Sequence, residues 1–347
     1  VKRVVIIAPS WIGDAVLSQP MLSRLHTLHA GLQIDVVAPP WVMPVYRRMA
    51  EVTKVIENPF DHGDLRLLAR RKFGKTVLRS GNYDHAYVLP NSLKSALITW
   101  FAAIPNTTGF RGEARSWLLS DCRLLDEEAL PTMAERFASL AESPGSPLHQ
   151  PVATPNLAID HKGRANILRR LGLDDHKPII ALCPGAEYGP AKRWPPAHFA
   201  AYANQQIAAG NQVWIFGSKA ERTIGEQINQ LCNNTCKNLC GETALADAID
   251  LLSLASTVVT NDSGLMHIAC AVGAPVVALY GSSSPDFTPP LSRKARIISL
   301  KVECSPCFKR VCPLGHFKCM NDITPAMVGG AIPTVGLPAD TAQRVGA

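Results

Sequence analysis

The sequence predicts an α/β protein: two Rossmann-like domains in tandem, each a parallel sheet with helices on both faces. Apolar runs of four to six residues recur along the chain, each leading into a turn and then a helix or loop. That is the pattern of strands buried on both faces. The series is interrupted once, at residues 142–156 (ESPGSPLHQPVATPN), where prolines replace apolar periodicity and an interdomain linker is expected. A length of 347 residues, at about 150 per domain, agrees with two domains.

In order, residues 4–8 (VVIIA) read as the first buried strand, 9–14 (PSWIGD) as its turn, and 15–28 as an apolar-periodic helix. Strands follow at 33–38 and 86–89, then a helix at about 92–103. After the linker, a helix at 162–171 opens the second series. Its strands are 179–183 (IIALC), 213–216 (VWIF), 257–260 and 276–280 (VVALY). The domains are expected over 1–155 and 156–325, facing a central cleft, with ligands at the carboxyl ends of both sets of strands. Residues 326–347 carry no strong pattern and read as a loosely ordered tail.

Composition excludes several classes. With 47% hydrophobic and 18% charged residues the chain has ordinary cores, unlike disordered, collagen-like or coiled-coil proteins. The net charge of +7 favours an anionic partner without choosing among nucleic acid, phospholipid and a phosphorylated small molecule. No apolar run approaches the roughly 18 residues a bilayer span needs, and residues 4–8 lead into a turn, not a leader-like stretch. A soluble, cytoplasmic protein is expected. Cys122, Cys183 and Cys270 sit singly in apolar segments, as free thiols do.

Missing motifs narrow the chemistry further. The first strand–turn–helix lacks G-x-G-x-x-G, and there is no G-x-x-x-x-G-K-[ST], H-E-x-x-H or G-x-S-x-G. A D-x-D metal–diphosphate motif is also absent. A nucleotide diphosphate bound here would be neutralised by backbone amides and basic side chains.

Four segments could supply that chemistry. In PSWIGD, Asp14 falls at a helix N-terminus, either as a cap or as a carboxylate base at the strand end. Asp262, Ser263 and Gly264 lie between a strand and a helix, where unsatisfied N–H groups and the helix dipole attract phosphate. His267 follows one turn on, as a packing residue or a ligand contact. In CPGAEYGPAKRWP (183–195), Gly185 and Ala186 form a turn, and Lys192 with Arg193 suit phosphate neutralisation; a solvated pair is the alternative. Glu221, in FGSKAE (216–221), either accepts bonds from ribose hydroxyls or serves a helix N-terminus.

Together these segments resemble the lipopolysaccharide heptosyltransferases, nearest the branch that adds the second heptose. YVLPNSLKSAL (87–97), GFRGEAR (109–115), GET-x-L (241–245), TNDSGLMH followed by ALYG, and SSPDFTPPLS (283–292) belong to the same resemblance, which spans about residues 1–325. It implies a GT-B fold and inverting, metal-independent transfer of L-glycero-D-manno-heptose from ADP-heptose, with no cofactor required. The family's catalytic aspartate falls on Asp14. Its donor residues fall on Lys192, Asp262, Ser263 and Gly264 with His267, Glu221 and the adenine-side Thr243, beside the Gly185–Ala186 turn.

The acceptor implied is the heptosyl-Kdo2-lipid A inner core, reached by peripheral contact with the cytoplasmic membrane face. Asn91, Lys94, Arg111 and Arg115, and the basic run 70–75, are candidates to meet its anions. Addition to Kdo, or a sugar-nucleotide enzyme of the same fold that transfers nothing, are the alternatives. No recognition helix or basic–aromatic stripe supports a nucleic acid partner. The group C-x2-C-x4-C-x6-C at Cys304, Cys307, Cys312 and Cys319, with His316 inside it, lies outside the family's general motifs. Thiolates so closely spaced can hold zinc or an iron–sulfur cluster; the spacing matches no standard finger, however, and a reduced, metal-free loop is the expectation.

Overall fold

A computed structural model describes residues 1–60 and 63–331. The chain divides into two compact units, Val1–Pro155 and Asn156–Ala347. In the first, β1 (Arg3–Ile7) leads to α1 (Ile12–Leu17) and α2 (Gln19–Leu28). Then come β2 (Gln33–Ala38), α3 (Met43–Tyr46), β3 (Lys54–Glu57), α4 (Leu67–Phe73) and β4 (His85–Val88). The unit ends with α5 (Leu93–Ala102), β5 (Asn106–Phe110), β6 (Asp121–Arg123) and α6 (Met133–Ser139).

The second unit runs α7 (His161–Leu171), β7 (Ile179–Cys183), α8 (Pro196–Ala208), β8 (Gln212–Ile215) and α9 (Arg222–Leu231). It continues β9 (Lys237–Asn238), α10 (Leu245–Leu252), β10 (Ala255–Asn261), α11 (Gly264–Ala271), β11 (Val276–Tyr280) and β12 (Ala295–Ser299). Two short helices, α12 (Lys318–Asn321) and α13 (Pro325–Gly330), close it.

Each unit carries a six-stranded sheet, in the orders β3-β2-β1-β4-β5-β6 and β12-β11-β10-β7-β8-β9. The paired strands are parallel throughout. Numbered within its own unit, each sheet is wound 3-2-1-4-5-6. The direction of winding reverses between β1 and β4 in one and between β7 and β10 in the other, and a crevice opens at the carboxyl ends there. β1, β7 and β11 are apolar enough to be buried on both faces. β2 buries a carboxylate: Asp35, fully buried, accepts from Arg3 at 2.8 Å and Tyr83 Oη at 2.6 Å.

Two local features differ from the pattern read in the sequence. The helix expected over 15–28 breaks at Ser18, whose hydroxyl bonds the Ala15 carbonyl and meets Tyr46 Oη, with Pro20 just beyond. A proline there cannot donate the next helical bond. Residues 326–330, expected in the tail, belong with Pro325 to α13. Thr324 caps it, accepting from Met327 N, Pro325 starts it, and Val328 is buried in the second core beside Met320 and Ile323. The rest of the expected tail, 332–347, lies outside the described residues. No helix of the described residues is long and apolar enough to cross a membrane.

Candidate functional site

In the first unit, β1 and β4 end side by side: Ile7 pairs with Val88, and Leu89 N donates to Ile7 O at 3.2 Å. The turns PSWIGD and Pro90–Asn91 therefore emerge together. Asp14 is not the helix cap. Trp11 holds that position, and Asp14 is the third residue of α1, half-buried within its first turn. A carboxylate there is favoured by the helix dipole without closing the helix end.

The acceptor candidates divide by exposure. Asn91 and Arg111 are exposed and Lys94 is half-buried. Arg115 is fully buried. Its guanidinium donates to Phe110 O at 2.6 Å, to Asn91 Oδ1 at 3.1 Å and to Pro90 O. It thus braces the 90–91 turn from beneath, and burial lowers its pKa to about 10. Gly112 passes so close to Asn91 O that a Cβ would stand 2.2 Å from it. In the basic run, Arg71, Lys72 and Lys75 face solvent. Arg70 is turned inward, donating to Asp64 O and Leu65 O at 2.7 Å each and stacked 4.1 Å over Phe60.

The second unit assembles its candidates more tightly. Thr260 pairs with Cys183, so the turn after β10 rises beside the turn after β7. Lys192 Nζ donates to Asp262 Oδ2 at 2.5 Å, with the two side chains 17% and 5% exposed. Ser263 precedes α11 in an extended conformation, and Gly264 is the helix's first residue. The hydroxyl of Ser263 makes no cap bond, so first-turn N–H groups lack a side-chain cap. Lys192, Asp262 and the positive end of α11 form one polar corner. Lys192 also lies 5.1 Å over the Tyr188 ring.

Two contacts in this corner escape sequence reading. Asn261, fully buried, donates to Pro184 O at 2.8 Å and accepts from Trp194 N at 3.0 Å. One amide therefore ties both ends of the Lys192 segment to β10. A buried Asn at a strand end is the only signal, and its partners lie far off in sequence. Glu221 caps Ser218, accepting from its N–H at 2.7 Å, and its carboxylate lies over the Gly185 Cα, where an added Cβ would stand 1.8 Å from Oε1. Gly185 and Glu221 thus meet, with Ala186 buried beside them. Thr243 is half-buried in the turn that begins at Gly241, whose N–H donates to Gly217 O at 3.0 Å.

His267 is buried, and burial lowers its pKa to about 4, opposed by Asp262 and reinforced by Lys192. His85 in the first unit is likewise lowered to about 4 by burial, opposed by Asp121. Both are neutral near pH 7. Because each takes up a proton more readily once unfolded, the unfolded chain binds more protons between about pH 6.5 and 4. The stability they contribute is complete above that window and falls through it, by roughly 2 kcal/mol each at pH 4.5. Chemical denaturation at pH 7.5 and 4.5 checks this. His85→Gln and His267→Gln should each flatten the dependence, and equal slopes in wild type and variants would refute it.

Comparison with known proteins agrees on one family. The sequence profile described as Glycosyltransferase family 9 (heptosyltransferase) matches residues 70–318. The chain is 45% identical to lipopolysaccharide heptosyltransferase 2 of Escherichia coli K12, covering 94% of this chain and 96% of that one. Identity to lipopolysaccharide heptosyltransferase 1 of Pseudomonas aeruginosa is 24%, over 89% of this chain and 87% of that one. The solved structure of E. coli ADP-heptose LPS heptosyltransferase II superposes with a TM-score of 0.84 at 43% identity, covering 94% of this chain and 96% of that one.

Proposed function

Since this chain belongs to glycosyltransferase family 9, and is a glycosyltransferase of the heptosyltransferase II type in lipopolysaccharide core synthesis, we propose that it uses ADP-heptose. The sugar, L-glycero-D-manno-heptose, goes to the heptosyl-Kdo2-lipid A inner core with inversion and without a metal. The observation that carries the donor side is the Lys192–Asp262 pair set against the N-terminus of α11. An ammonium and uncapped helix amides are what a departing diphosphate needs, because its negative charge grows as the sugar leaves. Asp262 orients the ammonium. Ser263 and Gly264 bring the chain close enough for amide contact, and neutral His267 packs beneath.

With the leaving group stabilised in this way, the remaining demand is a base for the acceptor hydroxyl. Asp14 takes that proton as the hydroxyl attacks the anomeric carbon from the face opposite ADP. Glu221 accepts from the ribose hydroxyls above Gly185, and Thr243 lies toward the adenine. Asn91, Lys94 and Arg111 meet the phosphates and carboxylates of the acceptor at the cytoplasmic face of the membrane, and Arg115 holds Asn91 in place. No cofactor enters.

The test is product analysis with ADP-heptose and either heptosyl-Kdo2-lipid A or Kdo2-lipid A. One heptose added to the first acceptor alone is expected. Transfer to the second would assign the type I reaction, and conversion of the donor without any acceptor would make this a non-transferring enzyme. A separate check addresses the donor pocket. Gly185→Ala should push the Glu221 carboxylate off its seat while the fold absorbs the change, because the obstructing atom ends a flexible side chain. Affinity for ADP, read by calorimetry, should fall about tenfold for a lost charged hydrogen bond.

A further inference from the structure

Between β12 and α12 the chain runs from 300 to 317 without a helix or strand, and its Phe308, Val311 and Leu314 side chains face solvent. A loop of that length with no core of its own is uncommon and needs something to hold it. At its centre is a small cavity of about 30 Å³, lined by Cys304, Cys307, Cys312, Cys319, His316 and Ser282. It is the size of one ion or water, far below that of a substrate pocket. The hydroxyl of Ser282, a residue 1% exposed, is buried there with no hydrogen-bond partner.

The same loop is fastened to the turn that carries Lys192. Ala191 N donates to Arg310 O at 3.0 Å, Tyr188 Oη donates to Phe308 O at 2.7 Å, and the Arg310 guanidinium lies 5.2 Å over the Tyr188 ring. Gly189 runs so close to the loop backbone that a Cβ would stand 2.3 Å from Arg310 O. Whatever orders the cysteine loop therefore orders this turn.

We propose that Cys304, Cys307, Cys312 and Cys319 hold one thiophilic transition-metal ion, of the zinc or iron class, in a structural site that braces the turn carrying Lys192. Four sulfurs are a closed, substrate-free donor set that such ions accept tetrahedrally. In the rotamers present, no three His, Cys, Asp or Glu side chains among the described residues are arranged to hold an ion. On this proposal the thiols draw together as the ion binds, into other staggered rotamers. Each coordinating thiol gives up its proton to solvent, and the binding energy becomes ordering energy for the loop. The effect on donor binding rests on the reading of Lys192 given above; the metal site does not.

The test uses the full chain, purified anaerobically under reducing conditions without chelator, with zinc and iron measured by mass spectrometry. About one ion per chain is expected, dropping at least tenfold in Cys312→Ser and in Cys304→Ser, while Cys122→Ser keeps it. Cobalt(II) added to metal-stripped wild type should give thiolate-to-metal charge-transfer absorption, a readout that survives if a variant fails to fold. Metal-replete and metal-stripped chains should also differ in ADP affinity. A replete chain with unchanged ADP affinity on stripping would leave the metal site standing and remove its link to Lys192. The metal proposal is overturned by less than about a tenth of an ion per chain together with no cobalt absorption, by an ion retained in the cysteine variants, or by disulfides among the four thiols.

Discussion

Asp14→Asn should lose 10²- to 10⁴-fold in acceptor-dependent ADP release, about the worth of a positioned general base, with ADP affinity unchanged. The structure makes the experiment clean. Asp14 is the third residue of α1 and not its cap, so the substitution keeps the helix end closed while removing a favourable dipole contact of about 0.3–1 kcal/mol. A large loss of turnover in a chain that unfolds at nearly the wild-type temperature would place the carboxylate in the chemistry. Turnover within a few-fold of wild type would leave it serving only the helix. Single-turnover kinetics alongside steady-state rates would show whether the defect lies in transfer or in product release.

The Lys192–Asp262 pair carries the second large effect, because here activity and stability should separate in a different way. Asp262 is 5% exposed, and removing its partner leaves a buried carboxylate without a cation. Lys192→Met and Asp262→Asn should each destabilise the second unit by about 3–5 kcal/mol. The double variant should recover most of that loss, since neither charge is then stranded. Activity should not recover. Loss of the ammonium that meets the diphosphate is expected to cost 10²- to 10³-fold in kcat/KM in Lys192→Met and in the double variant alike. Urea titration and donor-dependent kinetics on the four proteins give both readouts. A double variant that regained activity along with stability would make the pair a packing feature.

How much of this was legible in the sequence depended on where the partners lie. Strands buried on both faces announced themselves: 179–183 and 276–280 have in the structure the bounds read from their apolar runs. The strands β5 (NTTGF) and β6 (DCR), by contrast, have no such run. Their place in the sheet is set by neighbours supplying the ladder, which local composition does not encode. The start of α13 did carry a local signal, a Thr followed by Pro at the first helical position, but two glycines at its end masked it.

At the site, motif reading found residues such as Asp262 and Lys192 singly; that the two pair at 2.5 Å is a property of the sheet order. Asn261 and the Gly185–Glu221 contact were out of reach for the same reason. Each joins segments separated by tens of residues, and a single sequence has no record of which turns end up adjacent. The inward turn of Arg70 and Arg115 shows the converse error. A basic residue in a basic run or a polar turn reads as surface charge, whereas both are spent on backbone carbonyls inside the first unit.

The winding order also sets when, during synthesis, each half of the site comes into being. In both sheets the central pairing joins strands far apart in the chain, Val4 with His85 and Ile179 with Ala255, and such long-range closures come late in folding. The turn bearing Asp14 is made well before its β4 neighbour, which exists only after Val88 has been translated. The donor corner cannot exist until β10 and the first turn of α11 have left the ribosome. A nascent chain therefore completes the sheet around its proposed base long before it owns any grip on the nucleotide.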